Sequence, residues 1–196
     1  MSADRAPAWG VVSSLAAPVL LIGGWTLAAR LQPAAFDPVV DTISALAARD
    51  AVDRWVMTAA LYGVGACHFV TALALRPAAR PGRVLLGVAG LATAAVALFP
   101  LPEGDGSSAA HTVAAGLSFG ALAVWPALAA RAHGPGALRR RVAVPAAVAL
   151  LGLVGWFVVE LAADSGRVGL SERVAAGAQA LWPLVTMLSL RRRPRS

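Results

Sequence analysis

Six stretches of the chain are apolar and nearly free of charge, and they constrain the possible folds more than any other feature of the sequence. A bilayer core roughly 30 Å thick needs about 20 mainly apolar residues per helix. The sequence therefore predicts an all-α, polytopic membrane protein with six transmembrane helices in one bundle, forming a single domain over residues 1–196. The predicted helices cover approximately residues 9–31, 55–75, 84–99, 109–130, 142–162 and 174–190.

Composition supports a membrane location. Charged residues make up 14% of the chain and hydrophobic residues 58%, with a mean hydropathy of +0.70, whereas a soluble domain carries roughly a quarter charged residues. All 17 basic residues are arginine, and together with the ten acidic residues they give a net charge of +7. This excess of positive charge indicates contact with anionic membrane lipids. It does not indicate nucleic acid as a partner, because the sequence contains no soluble basic domain.

Arginines and carboxylates alternate between successive connections. Arginines cluster at residues 76–83 and 131–141 and at the C-terminus, whereas most carboxylates lie in the other three connections. By the positive-inside rule, this pattern predicts a multi-pass protein of the cell membrane with both termini in the cytoplasm. Paired glycines, including Gly116 and Gly120 in a GxxxG arrangement, predict helices that pack closely.

The segment FDPVVDTISALAARDAVDRW, residues 36–55, holds four of the ten acidic residues. Apolar residues at helical spacing predict a short interfacial helix between the first and second transmembrane helices. Asp37 is placed to cap this helix, and Asp41 lies one turn further on. The two carboxylates either support this helix or face a shared polar pocket.

Ionisable side chains at membrane depth usually face the interior or mark a site. His111 and nearby carboxylates suit a proton-transfer pair, a hydrolase-like constellation with Ser44, or a cation or zinc site. The spacing is diagnostic of none of these, and the structural alternative is that His111 binds a loop carbonyl while Glu172 and Arg173 pair locally. The candidates for acid–base catalysis are Asp37, Asp41, His111 and Glu160; those for ligand binding are Ser44, Asp105, Trp25, Trp156 and His68.

No metal or cofactor is assigned from the sequence. A transmembrane b-type haem would need a second histidine at the depth of His68, whereas His111 and His133 are predicted at opposite ends of the bundle. Cys67 is the single cysteine, so an intramolecular disulfide is excluded.

Three motifs resemble the DUF998 family of bacterial integral membrane proteins. They are FDPVVDTISALAA, FPLPEGDGSSAAHTVAAGLSF and GLSERVAAGAQALW, which begin at residues 36, 99 and 169. The chain is also distantly similar to Frag1/DRAM/Sfk1-type proteins. The DUF998 resemblance implies a six-helix fold and no established chemistry. Where family members commonly carry ISELG, this chain has ISALA at residues 43–47, without the glutamate.

Three functions are compatible with these features. The first is a protein with an outward-facing polar pocket for a lipid or isoprenoid-like ligand. The second is an intramembrane enzyme, terpene-cyclase-like or lipid-hydrolase-like, that uses Asp, Glu and His for acid–base chemistry on a small apolar substrate. The third is a small carrier, which is less favoured because the sequence lacks a clear inverted repeat.

Overall fold

The computed structural model describes residues 6–104 and 106–191, and within them it contains six α-helices and no strand. The all-α prediction is therefore confirmed. Helices α1 to α5 are long and apolar enough to cross a membrane. The six helices are α1 (Ala8–Leu31), α2 (Trp55–Ala74), α3 (Arg80–Leu98), α4 (Ala109–Ala129), α5 (Arg140–Ala162) and α6 (Val168–Arg191).

The helices form a ring. Each helix packs against the next along the chain, α6 packs against α1, and α4 also contacts α6. We define the acidic end of the ring by the connections 32–54, 99–108 and 163–167, and the basic end by the connections 75–79 and 130–139. Successive helices therefore run antiparallel. The connection 32–54 is long, whereas the other four are short, as is typical of antiparallel neighbours in a bundle.

Helices α2, α3 and α4 approach one another at glycines. A Cβ atom at Gly65 would lie 2.6 Å from the carbonyl oxygen of Gly90, and one at Gly82 would overlap the backbone of Ala129. The predicted role of Gly116 and Gly120 is wrong, because a Cβ atom at either position would meet nothing within 4 Å. The GxxxG spacing is present, but it faces no neighbouring helix.

Two apolar clusters fill the ring, one towards each end. The cluster towards the acidic end contains Leu21, Leu46, Met57 and Val96 together with smaller residues. The cluster towards the basic end contains Leu75, Leu86, Trp125, Met187 and Leu190 among others. The basic half of the interior is therefore packed with large apolar side chains.

The segment predicted as an interfacial helix is mostly turns. Residues 37–41 form a hydrogen-bonded turn, and a 3-10 helix follows at Ser44–Ala47. Ile43, Leu46 and Ala47 are buried against the ring, whereas Val40 is exposed. The apolar spacing thus identified most of the buried face, although the backbone does not form a continuous α-helix.

Candidate functional site

A cavity of about 60 Å³ lies inside the ring, between the two apolar clusters. It is partly open, it is lined by α1, α2, α3, α4, α6 and the 3-10 segment, and most of its wall is apolar. Its polar lining residues are Ser44, His68, Thr93, Ser118, Glu172 and Gln179. A volume of this size holds a few water molecules or a polar group of a few heavy atoms.

Two of the polar side chains at the cavity have unused hydrogen-bonding atoms. His68 is 1% exposed, and within the described residues neither of its ring nitrogens has a partner. Gln179 is fully buried; its Nε2 donates to the Phe119 carbonyl oxygen over 2.8 Å, while its Oε1 has no partner there. Buried polar atoms normally find a protein or water partner. These atoms are therefore polar groups at the cavity whose hydrogen-bonding capacity the described residues leave unused.

The remaining polar groups at the cavity have partners. Glu172 is buried in the first turns of α6, and its Oε2 accepts a hydrogen bond from the backbone N–H of Ile43. The hydroxyls of Thr93 and Ser118 lie 2.8 Å apart and link α3 to α4. Glu172 thus supplies the carboxyl group at the cavity, which His68 and Gln179 also line.

Ser44 and His111 form a hydrogen-bonded pair at the acidic end. Ser44 Oγ lies 3.0 Å from His111 Nε2, and His111 Nδ1 lies 2.9 Å from the carbonyl oxygen of Phe99. The carbonyl can only accept, so Nδ1 carries a proton, and in the corresponding neutral tautomer Nε2 accepts from the Ser44 hydroxyl. A serine, a base and a group that orients the base are the elements of an activated nucleophile.

The backbone around Ser44 is poorly suited to acyl transfer. Such chemistry needs free N–H donors near the nucleophile to stabilise the oxyanion. The N–H of Ile43 is bound to Glu172, and the N–H of Ala45 donates to Thr42 Oγ1 over 3.1 Å. Both amides that flank Ser44 are therefore occupied, and the Ser44–His111 pair serves to attach the 3-10 segment to α4.

Asp37 and Asp41 organise the turn that docks on α6. Asp41 Oδ2 accepts from the backbone N–H of Asp37 over 2.7 Å, and Asp37 Oδ1 accepts from that of Val39 over 2.8 Å. Arg173 Nη1 donates to the carbonyl oxygens of Pro38 and Asp41, 2.8 and 2.6 Å away. Arg173 therefore binds the turn, while Glu172 binds Ile43, so the predicted local pairing of Glu172 with Arg173 is wrong.

Glu160 lies away from the cavity, in a local cluster at the end of α5. Its carboxylate accepts from Trp156 Nε1 over 2.8 Å and from the Ser165 hydroxyl, and Arg167 Nη2 lies 3.2 Å away. These contacts satisfy both carboxylate oxygens. They fix the turn that leads from α5 into α6.

The other predicted site residues fall in different places. Trp25 lines a groove at the acidic end with Pro38 and Arg173. Asp105 lies outside the described residues. Among His, Cys, Asp and Glu side chains of residues 6–104 and 106–191, no group of three is placed to hold a metal ion.

Sequence reasoning considered Glu172 but did not assign Thr93, Ser118 and Gln179 to the site. The available signal was a polar residue inside an apolar run, which applies to Thr93, Ser118 and Gln179. Small hydroxyl residues are common in membrane helices, so this signal is weak without knowledge of which helix faces meet.

One comparison with known proteins gives a match. A family model described as a protein of unknown function (DUF998) matches residues 15–189. Neither a curated protein nor a solved structure matches the chain.

Proposed function

The chain belongs to the DUF998 family, whose function is unknown, and from the geometry of its cavity we propose that it is a membrane protein that binds a small amphiphilic molecule. The polar end of the ligand, a hydroxyl or a comparable hydrogen-bonding group, occupies the central cavity. The observation that carries this proposal is the pair of buried side chains with unused atoms, His68 and Gln179, at one cavity.

The chemistry of the wall selects the class of ligand. Gln179 Oε1 accepts only, so it calls for a donor on the ligand, and a neutral imidazole at His68 offers one donor and one acceptor. A hydroxyl group can meet both requirements. A fully charged group would be costly against walls that are mostly apolar.

Cavity size limits how much of the ligand is enclosed. About 60 Å³ is well below the roughly 300 Å³ or more of pockets that enclose a drug-sized ligand. A whole lipid or isoprenoid chain does not fit, so the proposed ligand inserts only its polar end. This is consistent with an isoprenoid-like or lipid-like alcohol whose chain stays outside the cavity.

The alternative functions receive less support. Acyl transfer at Ser44 lacks free flanking amides, as described above. A carrier needs a route through the ring, but Trp125, Met187 and Leu86 are fully buried on the basic side of the cavity. The cavity therefore ends where this apolar cluster begins, which favours binding over passage.

The proposed topology has α6 as a sixth span and both termini on the cytoplasmic side of the cell membrane. Helix α6 runs 24 residues from the acidic to the basic end, about 36 Å at 1.5 Å per residue. The concentration of arginine at the basic end supports the orientation.

The proposal is tested with a matched pair of probes. Geraniol, a short isoprenoid alcohol, and the corresponding hydrocarbon myrcene are added to the purified protein in detergent, and thermal unfolding is followed. We expect geraniol to raise the unfolding temperature and myrcene to have a much smaller effect. In His68→Leu the response to geraniol should be lost.

A second variant separates binding from general stability. Thr58→Val also removes a buried oxygen that has no partner within the described residues, but Thr58 does not line the cavity. It should therefore keep the response to geraniol. If geraniol raises the unfolding temperature equally in wild type, His68→Leu and Thr58→Val, or if geraniol and myrcene have equal effects, the cavity holds only water.

A further inference from the structure

The connection between α4 and α5 forms a rigid, strongly basic surface at the basic end. The backbone N–H of Arg131 donates to the carbonyl of Leu138 over 2.9 Å, and that of Arg140 donates to the carbonyl of Arg131 over 3.2 Å. A 3-10 helix at Gly136–Leu138 is held to α6, where Ser189 Oγ accepts from the N–H of Ala137 over 3.0 Å. The arginines that follow this turn therefore start from a fixed backbone.

An open concavity of about 730 Å³ lies on this surface. Its charged and titratable lining residues are His133, Arg139, Arg140 and Arg141, and no carboxylate lines it. Arg139 Nε donates to the Gly134 carbonyl oxygen over 3.2 Å, which orients this guanidinium. Within the described residues, the one ion pair is Glu160–Arg167, at the opposite end of the ring. Among the residues that the structure describes, no carboxylate therefore compensates the positive charge in the concavity.

The concavity continues into an apolar surface. Val144 and Pro145, about one turn into α5, form its apolar side. Further along α5, Val148 and Leu151 are exposed, and this helix is the least buried of the five apolar ones. A cationic concavity beside an exposed apolar helix matches the two halves of a phospholipid. Each guanidinium group can bind two phosphate oxygens at once, and the apolar helix face can contact the acyl chains.

We propose that this concavity is a specific binding site for an anionic phospholipid. The phosphate lies among Arg139, Arg140 and Arg141, and the acyl chains run along the exposed face of α5. A free phosphate ion would use the same guanidinium groups but would gain nothing from the apolar face. The lipid is therefore the occupant that the surface as a whole accommodates.

The test uses the full chain in detergent with equal amounts of phosphatidylglycerol and phosphatidylcholine, and native mass spectrometry counts the bound lipids. Wild type should retain phosphatidylglycerol in preference to phosphatidylcholine. The double variant Arg140→Gln with Arg141→Gln should reduce this preference by roughly an order of magnitude or more, because both guanidinium groups that attract the lipid phosphate are removed. Arg139 is left unchanged because it also holds the turn.

The matched control removes two exposed arginines elsewhere at the basic end, Arg76→Gln with Arg80→Gln, and should keep the preference. The double lysine variant Arg140→Lys with Arg141→Lys should keep part of it, which excludes misfolding as the cause of a loss. Equal losses in the control and the test variant would overturn the proposal in favour of diffuse surface charge. Full displacement of the lipid by inorganic phosphate at the same concentration would overturn it in favour of a free-anion site.

Discussion

At the scale of single residues, the contact between residues 37–43 and the start of α6 determines how the acidic end closes. The backbone N–H groups of Gly169 and Leu170 donate to the carbonyls of Val40 and Val39, over 3.1 and 2.9 Å. A Cβ atom at Gly169 would overlap the Asp41 carbonyl oxygen and lie 2.7 Å from that of Pro38. Gly169 is therefore required for close approach of two backbones.

Gly169→Ala tests this contact. We expect it to destabilise the protein by about 1–3 kcal/mol, the usual cost of overpacking, despite the better helix propensity of alanine. The measurement is equilibrium unfolding in detergent. Gly152→Ala in α5 is the control, because a Cβ atom there meets nothing within 4 Å. If the two variants are equally stable, the backbones do not meet as closely as described.

Glu172 belongs both to the contact between residues 37–43 and α6 and to the wall of the cavity. Glu172→Ala should cost roughly 1–3 kcal/mol, because the buried N–H of Ile43 loses its acceptor. Glu172→Gln keeps an acceptor oxygen and should cost less. The free energies of unfolding of both variants are compared by equilibrium unfolding in detergent. Glu103→Gln, at an exposed position, is the control. An equal loss in the Ala and Gln variants would show that the charge, and not the hydrogen bond, is what matters.

At the scale of helices, the α2–α3 contact depends on two glycines facing each other. A Cβ atom at Gly90 would lie 2.5 Å from the carbonyl oxygen of Gly65, and the reverse distance is 2.6 Å. Small residues allow such approach between membrane helices, where packing and not hydrophobicity drives association. The two backbones can therefore come together only where both residues lack a side chain.

Gly65→Ala and Gly90→Ala should each separate α2 from α3 and lower stability by about 1–3 kcal/mol. Gly116→Ala and Gly120→Ala in α4 should be neutral or stabilising by up to about 1 kcal/mol, since alanine is the better helix former. Unfolding of the four variants under identical conditions checks the contrast. If Gly65→Ala and Gly90→Ala lose no stability while the α4 variants are neutral or more stable, the close contact between α2 and α3 is contradicted.

The same glycines show what sequence could and could not predict about helix packing. Apolar runs predicted the number and approximate extent of the helices, because length and hydropathy are local properties. The GxxxG spacing at Gly116 predicted the wrong interface. Gly65 and Gly90 belong to two other glycine pairs of the sequence, and their predicted role in close packing is confirmed, but the spacing did not show that they meet each other across α2 and α3. Which faces meet depends on the arrangement of the whole ring, and spacing within one helix does not encode it.

At the scale of the whole molecule, the structure brings some of the predicted site residues together and separates others. Ser44 and His68 line one cavity, and His111 binds Ser44, so some of the predicted site residues do lie together. Asp37, Asp41 and Glu160 are engaged in local hydrogen bonds and do not line the cavity. A carboxylate near a helix end is equally suited to capping and to chemistry, and only the three-dimensional positions of its partners distinguish the two.

The orientation of the ring in the membrane leads to a final prediction. In a Cys67→Ala background, single cysteines are introduced by Glu103→Cys at the acidic end, Arg76→Cys at the basic end and Arg191→Cys at the end of α6. A membrane-impermeant maleimide applied to intact cells should label the first and spare the other two until the membrane is permeabilised. The reason is the proposed orientation, in which the concentrated arginines favour the cytoplasmic side for the basic end. If position 191 is labelled together with position 103 while position 76 is spared, α6 does not cross the bilayer; if positions 76 and 191 are labelled in intact cells while position 103 is spared, the orientation is reversed.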